Sequence, residues 1–181
     1  MKSLKDFIIE SFFDIDDNIN EFDKTLAVEE IKNFIGKNYL LKSYAISKKP
    51  NNKGKYIVDC QHHVKVLNRD MDKLTNDLFI WGKVGGDFEC SWCTNLVSLE
   101  GAPQEVGRDF DCSDCSSLKT LEGSPKKVKG YFFCSYCRSL KSLQGIPQEI
   151  GEDFECFDSG KRFTRTEVEK LSKIKGKILL E

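Results

Sequence analysis

The sequence reads VGGDFECSWCTNLVSLEGAPQE over residues 84–105, VGRDFDCSDCSSLKTLEGSPKK over residues 106–127 and VKGYFFCSYCRSLKSLQGIPQE over residues 128–149. These rows align without a gap at a period of 22 residues, and a fourth row starts at Ile150 and loses the pattern after Cys156. Self-similarity at a fixed period of roughly 20 to 50 residues is typical of stacked-repeat proteins. A single row cannot bury its own apolar face, so we expect successive rows to stack on one another.

Each row is predicted to contain a short strand followed by a non-helical return. In the first row Val84, Phe88 and Cys90 fall at even spacing with polar residues between them, which indicates a strand with one buried face. Apolar residues then recur at every third position, which suits a curved return. A glycine and a proline break the chain before the next row begins.

The pattern F-x-C-x-x-C-x-x-L-x-x-L resembles the leucine-rich repeat in its cysteine-containing form, of the kind seen in small phage and mobile-element proteins. The matching residues are Phe88, Cys90, Cys93, Leu96 and Leu99, then Phe110, Cys112, Cys115, Leu118 and Leu121, then Phe132, Cys134, Cys137, Leu140 and Leu143. The resemblance implies a parallel sheet on one concave side, with non-helical returns on the other. It also implies that the second cysteine of each row satisfies backbone groups, as Asn or Cys does in that family. The expected fold class is therefore α+β, a short leucine-rich-repeat solenoid with an N-terminal helical segment and a C-terminal helix-strand cap.

The chain is expected to divide into an N-terminal helical segment (1–55), the solenoid (56–163) and a C-terminal cap (164–181). Residues 62–83 are interpreted as a degenerate first row, in which Val66 would lie under Phe88. Two strands, 56–58 and 64–66, are predicted to form a hairpin-like entry to this row.

Helices are predicted on both sides of the repeats. Residues 3–13 have an amphipathic pattern, and the acidic residues 14–17 after them lack the glycine and the distal glutamate of a calcium loop, which favours a solvated turn. A second helix is expected from Leu26 to Gly36, with Thr25 as its N-cap. Thr164-x-x-Glu167 is a capping-box pattern, and helical spacing continues to about Lys173 before a final strand over residues 178–180.

Composition limits the possible classes of function. The formal net charge is −1, which gives no general affinity for nucleic acid or for anionic membranes. No apolar run approaches the length of a membrane helix, and charges interrupt the N-terminal residues too often for a secretory signal. We therefore expect a soluble, cytoplasmic protein of a bacterial host cell.

The paired cysteines allow two interpretations. Cys90-x2-Cys93 and Cys112-x2-Cys115 have the spacing of a zinc ribbon, which would suit a zinc-dependent nucleic-acid-binding protein. In the repeat register, however, the same cysteines form ladders along the stack, whereas zinc needs four ligands converging on one point. We favour buried free thiols and expect neither a metal nor another cofactor.

Catalysis has weak support in the sequence. Cys60, His62 and His63 are close in the chain, but neighbours on a strand point to opposite faces and no orienting acid is evident. The chain also lacks a phosphate-binding loop and a nucleotide fingerprint. A non-enzymatic protein is therefore expected.

The remaining candidate site is the outward side of the strands, where acidic residues surround a row of aromatic ones. We call this surface the acidic–aromatic face, and its residues are Asp87, Glu89, Trp92, Asp109, Asp111, Asp114, Tyr131, Phe133, Tyr136, Asp153, Glu155 and Phe157. Outward acids serve solubility, but clustered exposed aromatics are typical of contact sites. We expect the face to bind a protein partner with a basic surface, and no nucleic acid or membrane directly. The specific hypothesis is a phage-type inhibitor of a bacterial defence or nucleic-acid enzyme.

Overall fold

The computed structural model describes residues 21–181, so the helix predicted over residues 3–13 and the acidic turn after it lie outside the described residues. Within residues 21–181 the protein is a β-solenoid of six stacked turns with two helices, α1 (Glu21–Asn38) and α2 (Arg165–Leu171). No helix in this range is long and apolar enough to cross a membrane.

The strands are short, and most contain two residues. Their bounds are β1 (Tyr39–Leu40), β2 (Ala45–Ile46), β3 (Tyr56–Cys60), β4 (Val64–Val66), β5 (Phe79–Val84), β6 (Phe88–Glu89), β7 (Glu105–Val106), β8 (Phe110–Asp111), β9 (Lys127–Val128), β10 (Phe132–Phe133), β11 (Glu149–Ile150), β12 (Phe154–Glu155), β13 (Lys173–Ile174) and β14 (Ile178–Leu179). Consecutive pairs from β3–β4 to β13–β14 form turns 1 to 6.

Each turn contributes one strand to each of two sheets. The first, which we call the Phe sheet, has the order β1-β4-β6-β8-β10-β12-β14, and the second, the Val sheet, has the order β13-β11-β9-β7-β5-β3-β2. From turn 2 to turn 5 the pairing is parallel at the repeat spacing, for example Phe88 with Phe110 and Val84 with Val106. The prediction of one strand per row in a single sheet is therefore wrong, because Val84 and Phe88 lie in different sheets.

A corner of three residues separates the two strands of a turn, and close packing between turns explains its glycines. A Cβ built on Gly107 would lie 2.1 Å from the carbonyl oxygen of Gly85 in the preceding turn. A Cβ on Gly151 would lie 1.9 Å from the carbonyl oxygen of Lys129. At least one of the first two corner positions is glycine in each turn from turn 2 to turn 6. Side chains here would press on the backbone of the turn below, so the chain bends instead of continuing as one strand.

The core between the sheets consists of ladders of identical side chains. Phe88, Phe110, Phe132 and Phe154 are fully buried, and their rings stack at centroid distances of 5.7, 5.2 and 6.0 Å. Cysteine and leucine ladders run beside them, also buried. The non-helical returns predicted by the repeat are confirmed, because turns and bends connect β6, β8 and β10 to the strands that follow them.

The N-terminal elements close the first turn of the solenoid. Helix α1 packs on it through contacts such as Phe34 against Phe79, whose ring centroids are 5.8 Å apart. Strands β1 and β2 then pair antiparallel with β4 and β3. The predicted bounds of α1 were wrong at both ends. Thr25 lies inside the helix, and the helix continues past Gly36 to Asn38, whose side-chain amide donates to the carbonyl oxygen of Phe34 at 2.8 Å.

Turn 1 differs from the prediction in its register. Val64, not Val66, pairs with Phe88, which is a separation of 24 residues and not 22. Strands β3 and β4 belong to different sheets, so they do not form a hairpin. The insertion in the return between Val66 and Phe79 absorbs the two additional residues.

The C-terminal residues form a further turn. The capping box at α2 is confirmed, since the Thr164 side chain accepts from the Glu167 N–H and the Glu167 side chain accepts from the Thr164 N–H. The helix ends at Leu171, so the helical assignment to Lys173 was too long, and Ile174 lies in β13. The predicted final strand is present as β14, which pairs with β12.

Candidate functional site

The outward side chains of the Phe sheet form a continuous column across the turns. In order along the stack the column is Lys65, Glu89, Asp111, Phe133, Glu155 and Leu179. Parallel strands are about 4.8 Å apart, so each side chain is in reach of its neighbours in the column. Phe133 therefore lies between two carboxylates, Asp111 and Glu155.

Turn 4 provides an aromatic row within this acidic surface. The rings of Tyr131 and Phe133 stack at a centroid distance of 5.6 Å with an interplanar angle of 7°. Tyr131 is 39% exposed and Tyr136 is 48% exposed, while Phe133 is partly buried between its neighbours. The structure thus places these three predicted site residues on one outward surface.

A ridge of left-handed residues borders the same surface. Trp92, Asp114, Tyr136 and Asp158 occupy equivalent positions in turns 2 to 5, and their φ angles are 66°, 59°, 61° and 45°. Bulky residues rarely adopt positive φ, and such strain persists only where the surroundings fix it. The fixed points are backbone bonds between turns, such as the Trp92 N–H to the Ser113 carbonyl oxygen at 3.0 Å. This geometry places Trp92 and Tyr136 outward.

Three of the predicted partner-binding acids also hold the backbone of the stack. The Oδ1 atoms of Asp87, Asp109 and Asp153 accept the backbone N–H of Asp109, Tyr131 and Lys177, at 3.1, 3.0 and 2.7 Å. Each bond crosses from one turn to the next at the corner. Sequence analysis missed this role, although the recurrence of aspartate directly before the phenylalanine of most rows is its signal.

Several acids on the face have no cationic partner in the described part of the chain. Across residues 21–181, no Lys, Arg or His forms an ion pair with Asp109, Asp111, Asp114, Asp153 or Glu155. Asp111 is the most enclosed case. Burial raises the pKa of its carboxyl group, and the hydrogen bond from the Ser113 N–H at 2.9 Å opposes that effect. The neighbouring carboxylates Glu89 and Asp114 raise this pKa further.

The corresponding column of the Val sheet has a different charge pattern. There the outward residues alternate in sign from turn to turn, and they are Lys83, Glu105, Lys127, Glu149 and Lys173. Glu149 lies 2.9 Å from the Lys127 ammonium and 2.7 Å from that of Lys175. These two bonds lower the pKa of Glu149 to about 2. The Val sheet therefore neutralises its own charge, and the Phe sheet does not.

A groove of about 540 Å³ lies at the N-terminal end of the acidic–aromatic face. Its lining includes Leu40, which is 59% exposed, together with His63, Asp87 and Glu89. The Lys65 ammonium pairs with Glu89 at the floor of the groove. Since Asp87 and Glu89 belong to both, the groove is continuous with the face.

The cysteines act as donors between turns. The Cys115 thiol donates to the Cys90 carbonyl oxygen at 3.2 Å, and the Cys137 thiol donates to the Cys112 carbonyl oxygen at the same distance. This is the backbone-satisfying geometry expected for the second cysteine of each row. All eight cysteines are free and buried. Among residues 21–181, no three His, Cys, Asp or Glu side chains are arranged to hold a metal ion.

The residues considered for thiol catalysis are not brought together. Cys60 is buried on β3, where its thiol donates to the Ser43 carbonyl oxygen at 3.1 Å, and burial raises its pKa. His63 is exposed at the corner, and its Nδ1 lies 2.7 Å from Oδ2 of Asp87. Asp87 is thus an orienting acid that the sequence analysis did not find, but it orients a histidine remote from the thiol.

The described residues define the chain as a β-solenoid with a period of about 22 residues. No protein-family model, no curated protein and no solved structure matches it.

Proposed function

We propose that the protein is a non-enzymatic binding module whose acidic–aromatic face takes a basic surface of a protein partner. The difference between the two sheets supports this proposal most strongly. Both sheets have the same outward geometry, yet the Val sheet alternates lysine with glutamate while the Phe sheet places unpaired carboxylates around exposed aromatics. Solubility alone is served by either pattern, so the unbalanced pattern calls for a different explanation.

The chemistry of the face favours a cationic partner. Aromatic side chains supply contact area at low entropic cost, and uncompensated carboxylates steer and select positive surfaces. The same charges repel nucleic acid and anionic lipid. Basic surfaces are common on proteins that handle nucleic acid, so the specific form of the proposal is an inhibitor of a bacterial defence or nucleic-acid enzyme, such as phages encode.

The test compares the same charge reversal on the two sheets. Glu155→Lys changes the outward position of β12 in the Phe sheet, and Glu105→Lys changes the outward position of β7 in the Val sheet. We expect Glu155→Lys to weaken partner binding by about tenfold or more, which corresponds to about 1.4 kcal/mol, and Glu105→Lys to leave it unchanged. Partners captured from a bacterial lysate by the wild-type protein would be identified by mass spectrometry, and their affinities measured by titration.

Two further variants locate the contact. Phe133→Ala removes the central ring, and Asp109→Asn removes charge while keeping the oxygen that accepts the Tyr131 N–H. Both are expected to weaken binding. If Glu155→Lys, Phe133→Ala and Asp109→Asn all bind with wild-type affinity, this face is not the binding surface.

A further inference from the structure

We infer that the centre of the face, at Phe133, is a docking site for an arginine side chain of the partner, which rests on the proposed function and specifies the partner's key residue. The inference begins with the column in which Phe133 pairs with Asp111 on one side and with Glu155 on the other. Two strand spacings separate the two carboxylate-bearing backbones, a distance of about 9.6 Å. A cation over the aromatic row is therefore within reach of carboxylates from two directions.

Neither carboxylate has a cation of its own. Within residues 21–181, Asp111 and Glu155 receive only uncharged donors, namely the Ser113 N–H at 2.9 Å and the Ser135 hydroxyl at 3.2 Å. Each of these single bonds leaves further lone pairs on the carboxylate, because a carboxylate can accept about four hydrogen bonds. In contrast, Lys65 pairs with Glu89, the next acid along the same column. The two acids beside the aromatic row are thus the ones left for an external donor.

The aromatic row selects the kind of cation. Tyr131 and Phe133 form a nearly coplanar pair of rings, with an angle of 7° between their planes. A guanidinium is flat, is less strongly hydrated than an ammonium, stacks on aromatic rings and presents several N–H groups in one plane. Arginine therefore satisfies the ring and both carboxylates together, whereas lysine offers a compact charge that stays more hydrated. The occupant is an arginine from a protein segment.

The test uses blocked oligo-arginine and oligo-lysine peptides of equal length as probes of the full-length chain. We expect wild-type protein to bind the arginine peptide about tenfold more tightly than the lysine peptide, at low and at physiological salt. Phe133→Leu keeps an apolar side chain but removes the ring, and it should reduce this ratio to about one. Phe133→Tyr should restore it. The denaturation midpoint of each variant shows that the fold is intact.

A matched control and three outcomes decide the inference. Trp92→Leu removes an exposed aromatic two turns away and should leave the ratio unchanged. Equal binding of both peptides by wild-type protein would overturn the arginine site while the proposed function stands. A ratio that survives Phe133→Leu would also overturn it. If neither peptide binds even at low salt, the inference and the proposed function both fail.

Discussion

Cysteine has two different functions within each turn. The first cysteine of a row fills the core beside the phenylalanine ladder, while the second donates its thiol to a backbone carbonyl of the turn below. Both functions need a neutral, buried thiol. Burial raises the pKa of Cys93 to about 11 and raises the pKa values of Cys90, Cys112 and Cys134 well above the ordinary range.

These shifts predict a loss of stability at alkaline pH. The unfolded chain loses thiol protons first, at about pH 8.5, while the folded chain keeps them to higher pH. The stabilisation is therefore complete below that value and declines towards the folded pKa, which for Cys93 is about 11. Each such thiol contributes a slope of about 1.4 kcal/mol per pH unit in this window.

Denaturant titrations at about pH 8 and about pH 10 measure this effect. Replacing Cys93 with alanine should lower overall stability and also reduce the dependence on pH. Equal stability of the wild-type protein at both pH values would show that the native thiols ionise as freely as unfolded ones.

Glycine at the second corner of each turn is required by its backbone conformation. Gly123 has a φ of +86°, and a Cβ there would lie 2.4 Å from the backbone nitrogen of Glu100. Gly123→Ala should therefore cost at least about 2 kcal/mol, from the left-handed conformation and the clash together. Gly36 is the control, since nothing lies within 4 Å of its added Cβ and it sits in α1. Gly36→Ala should stabilise the protein by about 0.5–1 kcal/mol, and thermal unfolding of both variants gives the comparison.

At the level of single elements, the period was readable from the sequence, and the division of each row into two strands was not. The apolar pattern of Val84, Phe88 and Cys90 is compatible with one continuous strand, because even spacing is preserved across the corner. What breaks the strand is contact with the turn below, which Gly107 and Gly151 reveal only when the turns are stacked. Pattern within one row contains no information about that contact.

The same limit explains the candidate site. Alternation correctly placed Glu89, Asp111, Phe133 and Glu155 outward, since their strands each have one buried and one outward residue. The roles of Asp87 and Asp109 as acceptors between turns depend on register, which a single row does not define. The opposing Val-sheet column of alternating charge was likewise invisible while the two strands were treated as one.

At the scale of the whole molecule, the turns should be interchangeable units. Deleting residues 106–127 joins Glu105 to Val128 and removes one complete turn, while every remaining corner keeps its place in the repeat. Solenoid stability is approximately a sum of turn and interface terms, so we expect a folded protein of lower stability that still unfolds cooperatively.

Deletion of residues 106–116 is the control, because it removes half a row and moves apolar side chains out of register. Circular dichroism and thermal unfolding should show a folded protein for the full-row deletion only. If both deletions fold equally well, or neither folds, the turns are not independent units.

The repeating corner also has an evolutionary consequence. An in-frame duplication of one row inserts a complete rung without disturbing its neighbours, so the length of the outward surface can change in steps of about 4.8 Å. Copying errors in the gene thus adjust the recognition surface by whole rungs, and point substitutions then set which charge or ring each rung displays.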